Sequence, residues 1–106
     1  MSKMKWLISL ILKLLNNMRR FLILFPDTNI SSIIIQRIQT LEYFELFPTV
    51  YAVRSERFDT SQALFDFLQH QISPMPRLVV VSVNNNDYWG YANREFWPWM
   101  SDGSRQ

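Results

Sequence analysis

The chain has 106 residues, 48% of them hydrophobic and 15% aromatic, with two glycines and no cysteine, a composition that packs a core and excludes a disordered chain, a disulfide framework and a thiolate metal site. At this length one domain is expected, burying about two thirds of its unfolded surface without staples. The net charge of +2 hides a split: Lys3, Lys5, Lys13, Arg19 and Arg20 give residues 1–20 a charge of +5, whereas six arginines and nine acids leave residues 21–106 at −3, without the broad basic footprint of a protein that lives on phosphate backbones.

Met4, Leu7, Ile8, Ile11, Leu12 and Leu15 fall on one helical stripe, with Lys5, Ser9, Lys13, Asn16 and Asn17 on the other side. Residues 1–17 therefore read as a basic amphipathic helix or extension. Its apolar run is too short to span a bilayer and no small-residue cleavage site follows. Three readings stay open: a helix packed on its own domain or on a partner, a helix lying on a membrane surface, and an upstream extension, since Met18 with Arg19 and Arg20 can itself begin a compact domain. The expected location is cytoplasmic, with peripheral membrane contact kept open.

Phe21 to Phe25 is a continuous apolar run that reads as a buried strand, ended by Pro26, which removes a backbone donor. Asn29 is placed to cap a helix carrying Ile30, Ile33, Ile34, Ile38 and Leu41 at three-four spacing. Phe44 to Arg54 reads as one extended or bent strand interrupted at Pro48, with Val50 to Val53 its cleaner half and proline marking an edge or a bulge. Asp59 or Thr60 caps a second helix whose buried stripe is Leu64, Phe67, Leu68 and Ile72, closed by Pro74 and Pro76. Leu78 to Val83 is a β-branched strand, and Asn84 to Asp87 is a turn. Tyr88 to Met100 gathers aromatics into a short strand or arm and a last helical turn begun by Asn93.

This pattern predicts an α+β fold: a ferredoxin-like βαββαβ-type sandwich over residues 18–100, with a small antiparallel sheet, two helices on one face and the N-terminal helix added. Residues 101–106 are expected to form a disordered tail. The opposite sheet face needs a cover, from the N-terminal helix, the aromatic tail or a second copy of the chain, and a symmetric dimer is the commonest solution for small domains.

FLILFPDTN (21–29), TVYAVRS (49–55), DTSQALFDFL (59–68), RLVVVSV (77–83) and WGYANREFWPWM (89–100), in this order, resemble the small ferredoxin-like proteins related to the CRISPR-associated adaptation nuclease. That superfamily includes virulence-associated protein D toxins and SinR-like proteins. The resemblance implies a homodimer with sheets facing each other, with nuclease activity in some members and a purely architectural role in others. In the nuclease members the first strand ends in an aromatic residue followed directly by Asp, and one such carboxylate per subunit holds Mg2+ or Mn2+. Here Phe25 matches the aromatic, Pro26 follows, and Asp27 arrives one place late, a shift that turns a strand side chain to the opposite face. Asp27 is thus the candidate catalytic and metal-binding residue, against a carboxylate that caps its own loop near Asn29.

Asp66 and His70, four apart on the second helix, read as an oriented imidazole or an ordinary solvated pair. Arg54, Glu56 and Arg57 lie where a phosphate or a partner acid would be met, or form a solvated loop. No phosphate-cradling loop or zinc-ligand spacing occurs. Trp89, Tyr91, Phe96, Trp97 and Trp99 suit sheet cover, a subunit or protein interface, or base stacking, the last without its usual electrostatic companion. Two functions follow: a non-catalytic dimeric interaction or scaffold protein without a cofactor, in a defence, mobile-element or toxin-antitoxin setting, or a metal-dependent endonuclease using Asp27 from each subunit.

Overall fold

A computed structural model of the protein describes Leu7, residues 18–83, Gly90, Ala92 and residues 94–101. The elements are β1 (Arg19–Leu24), α1 (Ser32–Gln39), β2 (Glu42–Phe47), β3 (Val50–Ser55), α2 (Ser61–Gln69), β4 (Val79–Ser82) and α3 (Phe96–Ser101). The strands form one antiparallel sheet in the order β2-β3-β1-β4, so the fold is α+β.

Alternation along β1 sends Phe21 and Ile23 to one face and Leu22 and Leu24 to the other. On the first face Phe21, Ile23, Tyr51 and Val53 meet Ile34 and Ile38 of α1 and Leu64 and Leu68 of α2. Complete burial of a side chain of this kind is worth about 1.5–3 kcal/mol, and this cluster is the main core. On the second face Ala52 meets Phe96 and Met100 of α3, with Leu22, Phe44, Leu46 and Trp99 around them. Phe44 lies 5.7 Å from both the Phe96 and the Trp99 rings. The aromatic tail, one of three expected covers, therefore packs on its own sheet.

The expected single strand from Phe44 to Arg54 is two strands joined at Pro48 and Thr49. Pro48 holds φ near −65°, and neither loop residue has a positive φ, so the primed turns usual in two-residue hairpins are closed to it. A register shift between Glu45 and Phe47 absorbs the mismatch as a bulge. The proline thus marks both an edge strand and a bulge, as expected, but also a reversal of the chain.

Helix α1 begins later than Asn29 suggests. Its cap is Ser31, whose Oγ accepts the Ile33 N–H at 3.2 Å. Residues 27–30 are first used in local turns: the Asn29 N–H donates to Asp27 Oδ1 at 2.9 Å and the Ile30 N–H to the Thr28 carbonyl at 2.9 Å. Ile34 and Ile38 are buried as the spacing predicts, whereas Ile33 is exposed and Ile35, on the other side of Ile34, packs on the core instead.

Thr60 caps α2 through Oγ1, which accepts the Ala63 N–H at 3.1 Å. The helix stops at Gln69, where the Ile72 N–H donates to the Gln69 carbonyl at 3.0 Å across a turn with Gln71 at φ 59°. Arg37 reaches over from α1, its Nη1 donating to the carbonyls of Leu68 at 3.0 Å and His70 at 2.7 Å.

Apart from Leu7, which is helical, the expected N-terminal helix lies outside the described residues, as do the turn at 84–87, the arm through Trp89 and Tyr91, the helix start at Asn93 and the tail from 102 to 106. No helix among the described residues is long and apolar enough to cross a membrane.

Candidate functional site

The strand exit is built by backbone bonding. The Phe25 N–H donates to the Thr49 carbonyl at 2.9 Å, tying the end of β1 to the β2–β3 loop, and Pro26 then offers no donor. Asp27 is exposed, and its Oδ1 is occupied by the Asn29 N–H. A cleft of about 310 Å³ opens here, with Phe25, Ile34 and Ile72 on its apolar side and Asp27, Ser31 and Arg77 among its polar lining. Among the described residues, no three His, Cys, Asp or Glu side chains come together as a metal-holding group. Asp66 and His70 share no hydrogen bond or ion pair, and His70 has left helical geometry as the C-cap of α2.

Arg20, Arg54 and Arg57 are engaged with the protein itself. Arg54 donates through Nη2 to Glu42 Oε1 and through Nη1 to the Trp99 carbonyl, and its guanidinium lies 4.8 Å from the Trp99 ring centre. Arg20 stands directly across from Arg54 on β1; it is buried, and its Nε donates to the Met100 carbonyl. These two cations meet the last carbonyls of α3, where the helix dipole favours positive charge. Arg57 lies over the rings of Phe67 at 4.6 Å and Phe58 at 5.1 Å. Arg20 and Arg37 were not singled out in the sequence; an arginine inside an apolar strand or on a helix carries no sign of which distant carbonyl it will reach.

The terminal aromatics divide. Phe96 is 4% exposed in the second cluster and presents no surface to a partner, while Trp97 and Trp99 are half-buried there. Trp89 and Tyr91 lie outside the described residues.

A surface the sequence reading did not isolate lies at the loop end of the second sheet face. Phe47 stands opposite Val50, Val50 opposite Leu24 and Leu24 opposite Val79, so one apolar row crosses all four strands. With strands about 4.8 Å apart the row is about 15 Å long. None of the four belongs to either packed cluster, and Phe47 and Val79 are 48% and 56% exposed. Row members come from three separate hydrophobic runs, and only sheet pairing makes them neighbours. Each run reads as ordinary strand composition by itself. Compared with known proteins, the chain matches no family model, no curated protein and no solved structure.

Proposed function

We propose that this chain is a dimeric, non-catalytic interaction module built on a ferredoxin-like βαββαβ domain. The order β2-β3-β1-β4, with α1 and α2 on one face, supports that description of the domain. The observation that carries the functional reading is the open row of Phe47, Val50, Leu24 and Val79. Apolar residues aligned across a whole sheet and left uncovered among the described residues mark a contact surface rather than scattered surface hydrophobes. Covering the exposed halves of Phe47 and Val79 is worth about 1 kcal/mol each, taking 1.5–3 kcal/mol for complete burial. A two-fold axis uses each contact twice. In this reading Asp27 is a loop carboxylate that accepts the Asn29 N–H.

Light scattering on the purified full chain, with and without Val79→Glu, tests the proposal. Val79 is exposed on an edge strand, so the variant keeps the wild-type circular dichroism. The wild type is expected to run as a dimer and the variant as a monomer. A wild type that remains monomeric at every concentration overturns the dimer. Cleavage of RNA or DNA with Mg2+ or Mn2+ that is lost in Asp27→Asn overturns the non-catalytic half of the reading.

A further inference from the structure

Resting on that reading, we infer that the open row of one copy is covered by the N-terminal apolar stripe of a second copy, exchanged reciprocally. The surface admits a helix better than another sheet. The neighbouring row on the same face, with Phe44, Ala52 and Leu22, is already packed against Phe96 and Met100 of α3. A second sheet would therefore ride up on α3, whereas one helix, about 10 Å across, fills the strip beside it. The stripe from Met4 to Leu15 is about 18 Å long as a helix, and the row it must cover is about 15 Å. Leu7, the described member of the stripe, is helical and 49% exposed, and the length of the stripe in the sequence matches that of the row.

The tether prevents a chain from laying this stripe across its own row. Arg19, where β1 begins, is about 17 Å along the strand from Leu24 at 3.3–3.4 Å per residue. Four peptide steps from Leu15 to Arg19 reach at most about 14 Å. Running the helix along the strand instead meets the rows that α3 occupies. A second copy is under neither constraint.

The chain has no cysteine, so single thiols report on contacts cleanly. Equal amounts of full-length Leu7→Cys and Val79→Cys chains are mixed and treated with a short bismaleimide, and the products are mapped by mass spectrometry. A 7-to-79 crosslink in the mixture can form only between copies and is the expected product. In parallel, Leu7→Glu is expected to dissociate the dimer as completely as Val79→Glu. A dimer that survives Leu7→Glu, or that yields 79-to-79 crosslinks without 7-to-79, overturns the exchange while leaving the dimeric module standing. A wild type that is monomeric in the same buffer removes both.

Discussion

Tyr51 shows how much one side chain draws from its surroundings. Its ring packs in the main core edge-on to Phe25, with centroids 6.0 Å apart, and its hydroxyl donates to Glu45 Oε1 at 3.1 Å. Burial pushes its pKa above the usual 10.0, and the hydrogen bond and charge of Glu45 add to the rise. A group whose pKa is raised by folding contributes stability that is present below its unfolded pKa and lost as pH rises through the folded value. Alkaline titration should therefore lower stability from about pH 10 upward. Tyr51→Phe should flatten that part of the profile while costing about 1 kcal/mol at neutral pH for the lost hydrogen bond; urea midpoints across the range measure both, and an unchanged alkaline slope would remove Tyr51 as its source. At the same scale Asp27 was legible as a carboxylate at a strand exit. Its bond to Asn29 was legible too, because Asx-type turns are local. The partners of Arg54 were not, since Glu42 and Trp99 are 12 and 45 residues away in the chain.

At the scale of elements, the start of α2 was readable and its end was not. Thr60 caps α2 as the sequence suggests, because an N-cap needs only the next three residues. Neither α2 nor α3 has a basic residue in its last turn, and the cations for their terminal carbonyls come from elsewhere: Arg37 for α2, Arg20 and Arg54 for α3. Arg37→Met keeps most of the side-chain length but removes two charge-assisted bonds, so a loss of about 1.5–3 kcal/mol is expected in chemical denaturation. Wild-type stability in that variant would mean that water satisfies the α2 carbonyls equally well. The shift of the α1 cap from Asn29 to Ser31 belongs to this scale. Asn29 had a suitable side chain, but residues 27–30 are held in local turns and the capping bond is made by Ser31 Oγ to the Ile33 N–H. Packing on the sheet then decided that Ile35, rather than Ile33, would meet the core.

For the whole molecule, the second sheet face is the decisive region, since α3 covers part of it and leaves the row from Phe47 to Val79 open. Phe96→Ala removes the ring that anchors α3 among Ala52, Phe44 and Trp97. A cost of about 3–5 kcal/mol is expected, together with increased binding of a hydrophobic dye as the face is uncovered. Thermal unfolding and dye fluorescence check both, and a loss in Tm without new dye binding would show that the face remains covered when Phe96 is gone. The same region separates the charge of residues 1–20 from the acidic remainder: Arg20, counted in the basic segment, is buried in the sheet against α3 and is not part of a basic surface.

The sequence by itself determined the α+β class, the positions of β1, β3 and α2, and most core residues of both main helices. Those features rest on side-chain periods and caps that operate over a few neighbouring residues. Tertiary structure alone decided that Pro48 reverses the chain, because a bend and a hairpin have the same local composition until a bulge and a partner strand complete the turn. It alone decided that Arg20, Arg37 and Arg54 reach helix ends and that four apolar residues from three runs form a row left open among the described residues. Both outcomes depend on which strands become neighbours and on where α3 comes to rest, and neither is carried by any short stretch of chain.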